Sequence, residues 1–170
     1  KYKYPNTDKV VLNVDDLEIT AGDFIGITGK TGSGKSTLLD ITIGLLDPIS
    51  GKILIDNKNL DLNLKEAWKS NIAYVPQFPF MADDTITNNI ALGIDPKFID
   101  INRIREVARN VEIADFIEND LPSKYETVIG ESGIRLSGGQ RQRLGIARAL
   151  YNDQDIIVLD EAMNSLDVNT

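Results

Sequence analysis

Residues Gly29-Lys30-Thr31-Gly32-Ser33-Gly34-Lys35-Ser36 follow the spacing G-x-x-x-x-G-K-[ST], which suits the gripping of phosphate. Glycines let the backbone curl, so that the amides of Gly29, Thr31, Gly32, Ser33 and Gly34 turn inward around phosphate oxygens. Lys35 supplies a point charge for β and γ phosphates, Ser36 a hydroxyl for Mg²⁺, and Thr37 a further donor to phosphate. A helix starting behind the loop adds the partial positive charge of its N-terminus. A flexible glycine turn is the plainer explanation. The flanking order, an apolar strand before the loop and a helical pattern after it, weighs against that.

Two further constellations carry chemistry. Asp160 and Glu161 end the apolar run Ile156-Ile157-Val158-Leu159, at the carboxyl edge of a strand, where open α/β sheets bind ligands. Asp160 suits Mg²⁺ directly or through water, and Glu161 suits positioning or deprotonating an attacking water. Alone, such a pair is as readily two solvated acids. In the second, Leu136-Ser137-Gly138-Gly139-Gln140 opens a helix. Ser137 is a good N-cap, Gly138 and Gly139 permit close approach to the backbone, and the helix dipole points outward. An ordinary capped start is the alternative, but a second phosphate-binding mouth makes sense for a nucleotide shared between two chains.

The elements that must position these groups read as α/β. Runs at 10–14, 17–20 and 24–29 are β-rich, and Phe24 to Thr28 is apolar and β-branched enough for burial on both faces. Leu38, Ile41, Leu45 and Leu46 recur at helical spacing, 52–56 alternates as a short strand, and 65–70 reads as a helix. Ile72 to Gln77 is a strand closed by Pro76. From Thr85 to about Asn119 the pattern turns helical, with Ile101, Ile104, Arg105 and Ala108 on one face and Ile113, Phe116 and Ile117 on another. Leu144, Ala147, Leu150 and Tyr151 line one side of the helix behind Ser137, and 156–160 is a second strand expected to be buried on both faces.

Composition narrows the chemistry. At 170 residues and 42% hydrophobic content the chain can bury one substantial core. Zero cysteines and zero histidines remove disulfides, thiolate metal sites and the usual general base. Catalysis is left to carboxylates, lysine, hydroxyls, amides or a hard metal ion. A formal charge of −8 argues against a broad nucleic-acid surface. No apolar run is long enough to span a membrane and no secretory signal opens the chain, so it is expected to be soluble.

Together these motifs resemble the nucleotide-binding domain of ATP-binding cassette transporters, and the resemblance covers essentially the whole chain. It implies a P-loop NTPase (RecA-like) core sheet flanked by helices, an N-terminal antiparallel β subdomain and an inserted α-helical subdomain. It also implies one domain over 1–170, with the β core at 1–81 and 150–170 and the helical subdomain at 82–149. Leu136 to Gln140 looks like the family's signature sequence. By resemblance Tyr4 stacks on adenine, Gln77 reaches Mg²⁺ and the attacking water, and Asp167, in Asn164-Ser165-Leu166-Asp167, signals across a dimer. The implied ligands are ATP, held by Tyr4, Gly29, 31–37, Gln77, 137–140 and Asp167, and Mg²⁺ at Ser36, Gln77 and Asp160, with Glu161, Gln77 and Lys35 catalytic. Two copies pack head to tail, so that Ser137 and Gly139 of one close over the γ-phosphate held by Lys35 of the other.

Segments 85–93 and 126–133 resemble those of exporter-type members, which implies a transmembrane partner domain, fused or separate, and a place at the cytoplasmic face of a membrane. The family's switch histidine is not found before Thr170, so the chain is expected to be C-terminally truncated and to hydrolyse ATP poorly. Rival readings are weaker. A P-loop kinase or GTPase leaves 136–140 without a purpose, and a cassette ATPase acting on nucleic acid or in translation fits poorly with the acidic balance. A module that binds nucleotide without turning it over could dispense with Glu161, which speaks against that reading for the parent protein and leaves it open for the truncated chain.

Overall fold

Residues 1–131 and 134–160 are described by the computed structural model, and they fall into two units, Lys1–Asn71 and Ile72–Thr170. In the first unit the glycine-rich loop feeds helix α1 (Lys35–Thr42), whose N-cap is Gly34. The helical spacing predicted a longer element reaching Leu46. Instead Gly44, at φ 78°, turns the chain out of the helix, and Leu45 is left 57% exposed. Trp68 Nε1 donates to the Thr42 carbonyl at 2.9 Å and satisfies one of the carbonyls the helix end leaves open.

Strands β1 (Leu54–Ile55) and β2 (Lys58–Asn59) form an antiparallel hairpin. Asp56 and Asn57 both have positive φ, 47° and 65°, as a two-residue type I′ turn requires. Helix α2 (Leu62–Ser70) is capped by Asp61, whose carboxylate accepts from the Asn63 and Leu64 amides at 3.0 and 3.1 Å.

The β-rich runs at 10–14, 17–20 and 24–29 do not form strands. Only an isolated antiparallel bridge, Tyr2 to Leu12, is present there. Phe24 is 97% exposed, and Ile25 and Ile27 are also on the surface. The physical reason is that apolarity rewards burial, whereas a strand needs a neighbour to complete its ladder, and no such neighbour exists for 24–28 among the described residues of this unit. What does form is the turn before it. Thr20 donates its amide and hydroxyl to Asp23 Oδ2, both at 2.8 Å, and these bonds hold the Asp23 carboxyl below its ordinary pKa.

In the second unit, β3 (Ile72–Val75) pairs in parallel with β6 (Ile156–Leu159), Ile72 opposite Ile156 and Val75 opposite Leu159. β3 stops directly before Pro76, as the sequence led us to expect. The second expectation for β6, burial on both faces, fails: Ile157 and Leu159 are 42% and 37% exposed. Among the described residues β6 has β3 as its one strand neighbour, and a single cover leaves alternate side chains on the surface.

The helices α3 (Ile86–Ile90), α4 (Ile101–Asn110) and α5 (Gly138–Tyr151) surround the main core. Ile86, Ile90, Ile104, Val107, Ile113, Ile117, Ile129, Leu144 and Ala147 pack together with almost no exposure. Each large side chain there contributes roughly 1.5–3 kcal/mol by leaving water. On α4 the buried face is Ile104, Val107 and Ala108. Ile101 and Arg105, expected on that face, are exposed, Ile101 in the first turn of the helix and Arg105 to one side of the stripe formed by Ile104, Val107 and Ala108. A two-residue pair, β4 (Asp84–Thr85) with β5 (Val128–Ile129), ties the lobe's loops together antiparallel.

Buried polar groups are matched around Asn89, whereas the buried Gln142 Nε2 and Gln154 Oε1 have no hydrogen-bond partner among the described residues. Asn89 is wholly buried, and its side chain bonds the Ala82 amide and the carbonyls of Ala82, Asp84 and Thr85. Its own carbonyl accepts from Arg148 Nε at 2.8 Å, and Arg148 Nη2 reaches the Phe80 carbonyl at 3.0 Å. Burial lowers the Arg148 pKa.

Tyr125 is 8% exposed and donates to Glu118 Oε1 at 3.1 Å. Burial, and then this bond to a carboxylate, push its phenol up to about 12. The folded pKa lies above the unfolded value of about 10, so the phenol's contribution is complete below pH 10 and is lost as pH rises toward 12. A denaturant titration series from pH 9 to 12 is expected to show stability falling in that window, with the slope reduced in Tyr125→Phe.

Candidate nucleotide site and family

In the first unit the loop after Thr28 turns through Gly32 and Gly34, at φ 77° and 96°, a region nearly closed to other residues. At Gly32 a Cβ would meet nothing within 4 Å, so there glycine is required by conformation and leaves open room above the loop. At Gly34 a Cβ would also come within 3.1 Å of the Val11 carbonyl. Lys35 Nζ donates to the carbonyls of Gly29 and Lys30 at 3.1 and 3.3 Å. The ammonium is therefore held over the loop whose amides and open space would receive phosphate. Thr31, Ser33 and Ser36 are exposed around it.

Thr37 is only 5% exposed, and its hydroxyl pairs with the Tyr4 phenol at 2.9 Å. Tyr4 also meets Tyr2 edge to face, with centroids 5.1 Å apart. Its ring lines a cleft of about 490 Å³ together with Lys3, Pro5, Asn6, Thr7, Asp8 and Ile49. The structure thus joins two nominated residues that the sequence kept apart, an aromatic for the base and a hydroxyl for the phosphates.

In the second unit Asp160 extends the β3–β6 ladder, its amide donating to the Val75 carbonyl at 3.0 Å. Its Oδ2 accepts from the Tyr74 hydroxyl at 3.0 Å. Tyr74 is a residue that sequence reasoning missed; alternation along β3 placed it on a face, but nothing local revealed that β6 would be its neighbour. Gln77 is exposed, two residues past the end of β3. Glu161 and Asp167 lie outside the described residues, as do Ser132 and Gly133 of the segment 126–133.

Ser137 caps α5 through a reciprocal pair: its Oγ accepts from the Gln140 amide at 3.2 Å, and its amide donates to Gln140 Oε1 at 2.8 Å. Helix geometry leaves the Gly138 and Gly139 amides without an intrahelical acceptor. A Cβ on Gly138 would meet nothing within 4 Å, so the space beside Gly138 is open. Arg143 turns back to the end of α4, donating to the Val111 and Glu112 carbonyls at 2.9 Å and pairing with Glu112 Oε2 at 3.2 Å.

Comparison with known proteins decides the family, since the profile of ABC transporters matches residues 12–164. The chain belongs to the ABC transporter family. It is 40% identical over 168 residues to the ATP-dependent lipid A-core flippase of Ralstonia nicotianae, covering 98% of this chain and 28% of the flippase. It is 41% identical over 170 residues to the multidrug resistance-like ATP-binding protein MdlA of Escherichia coli, covering 100% of this chain and 28% of that protein. The chain therefore spans under a third of the length of the curated relatives it matches. Among solved structures, a bacterial Atm1-family ABC exporter with ATP bound superposes with a TM-score of 0.73 at 36% identity, over 82% of this chain and 24% of that one. The fold is that of an ABC ATPase.

Proposed function

We propose that the chain is the ATP-binding and hydrolysing part of an exporter-type ABC transporter, acting at the cytoplasmic face of a membrane. The observation that carries this is the left-handed glycine loop opening α1 with Lys35 folded over it, in a chain of this family. Relatives named as flippases and a similar exporter with ATP bound support the exporter class. Among the described residues no helix is long and apolar enough to cross a membrane, so in this reading the pathway belongs to a transmembrane partner domain. The division into a β core at 1–81 with 150–170 and a helical lobe at 82–149 is part of the same proposal.

The residues fit the implied ligands. The loop's amides, the space above Gly32 and the Lys35 ammonium suit a triphosphate. Ser36, Gln77 and Asp160 are hard oxygen donors of the kind that hold Mg²⁺ alongside substrate phosphates. Bound there, the ion neutralises charge on the β and γ phosphates. Tyr4 stacks on the base. Lys35 stabilises charge developing on the γ-phosphoryl group, Gln77 orients the attacking water and Glu161 accepts its proton as the bond to the β,γ-bridging oxygen breaks and ADP departs. A second ATPase domain, head to tail, presents Ser137, Gly138, Gly139 and Gln140 to the same γ-phosphate, with Asp167 at the interface. Closing of two such domains over ATP then drives the transmembrane partner between its states.

Calorimetry tests this directly. ATP with Mg²⁺ is expected to bind, and Lys35→Ala to weaken binding roughly 10- to 100-fold, the worth of one or two charge-assisted hydrogen bonds. Equal affinity in the two proteins would contradict the assignment of the loop.

A further inference from the structure

Beyond the residues nominated so far, Tyr74 stands in a position to govern Asp160. β3 and β6 run parallel, with Tyr74 opposite Val158 and Val75 opposite Leu159. Side chains alternate along a strand, so Tyr74, Val158 and Asp160 share one face of the pair. The Asp160 amide donates to the Val75 carbonyl at 3.0 Å, which fixes the acid's backbone as an extension of the ladder. From the same stretch of β3 the Tyr74 hydroxyl then reaches Asp160 Oδ2 at 3.0 Å. Two adjacent residues of β3 thus hold both ends of Asp160, one the main chain and the other the carboxylate.

We propose that Tyr74 is a positioning residue for the magnesium-side carboxylate: its phenol holds Asp160 Oδ2 and so sets the plane in which the other oxygen is offered to the ion or its water. This rests on the reading of Asp160 as a Mg²⁺ residue. A phenol is a neutral donor at physiological pH, so it restrains the carboxylate without cancelling the charge the ion needs. Outer partners that orient a ligating group in this way typically carry 10- to 100-fold in metal affinity. Val158, opposite Tyr74, offers no hydrogen-bonding group that could take over the task.

The test is Tyr74→Phe, which removes one oxygen and keeps the ring. ATP binding is titrated calorimetrically with the full chain across a Mg²⁺ series and again in EDTA. In parallel, Mn²⁺ binding in the presence of ATP is followed by electron paramagnetic resonance, and the melting midpoint is recorded. The half-saturating Mg²⁺ concentration is expected to rise about tenfold, Mn²⁺ binding to weaken in parallel, and ATP affinity in EDTA to stay as in the parent chain. An unchanged Mg²⁺ requirement would overturn the proposal, as would an equal loss of ATP affinity with and without the ion, which would mark a merely structural role. Asp160→Asn separates the two levels of the argument. If it raises the Mg²⁺ requirement while Tyr74→Phe does not, only the role of Tyr74 falls; if neither variant changes it, the reading of Asp160 falls as well.

Discussion

Replacing Gly138 by alanine is expected to leave α5 folded, with stability unchanged or raised by up to about 1 kcal/mol, while ATP turnover in the full-length protein drops about 100-fold. The two signs come from one geometry. Gly138 lies at the start of the helix, and a Cβ there would meet nothing within 4 Å of the chain itself. Alanine is also the better helix former, so the fold has no reason to object. In the proposed head-to-tail arrangement the methyl group would crowd a γ-phosphate approaching the Gly138 amide. Obstructing preorganised amide donors is costly to a transition state that gathers charge on those oxygens. Thermal melts and steady-state hydrolysis, measured side by side, check the prediction. A variant that loses activity only in proportion to lost stability would place Gly138 in the scaffold instead.

The second large effect is expected at Glu161. Glu161→Gln keeps size and hydrogen-bonding reach but removes the proposed base, and proton transfer by a positioned side chain is worth about 10²–10⁴-fold. Turnover in the full-length protein should fall by that order, with ATP affinity measured calorimetrically remaining within about threefold of the parent, since a general base contributes to the transition state far more than to the bound substrate. A variant that turns ATP over at the parent rate would remove Glu161 from the chemistry.

What the sequence revealed follows the range of the interactions involved. The phosphate loop was legible because its information is contained in a few consecutive residues: Gly32 and Gly34 need left-handed backbone, and Lys35 sits where it must sit to fold over the loop. The cap at Ser137 was legible for the same reason, being a bond between residues three apart. So was the stop before Pro76. The run at 24–28 was misread as a formed strand because apolar, β-branched composition reports a preference, whereas strand formation depends on a partner elsewhere in the chain. α1 was drawn too long because the periodicity of Leu45 and Leu46 continued past Gly44, whose φ of 78° ended the helix. Tyr74 and Arg143 were silent for a third reason. What they touch, Asp160 and the end of α4, lies 86 and about thirty residues away in sequence, and no local pattern announces such a meeting.

The claim most exposed to test is that one chain's loop at 29–36 and another chain's Ser137 to Gly139 enclose the same triphosphate. The sequence contains no cysteine, so single cysteines can be placed at Thr31 in one preparation and at Ser137 in a second without competing thiols. The two are mixed and treated with a short bifunctional maleimide, with and without ATP and Mg²⁺. The account predicts a covalent heterodimer that requires one chain of each kind and forms only when nucleotide is present. Cross-linking that ignores nucleotide, or that joins two Ser137→Cys chains as readily as the mixed pair, would contradict it.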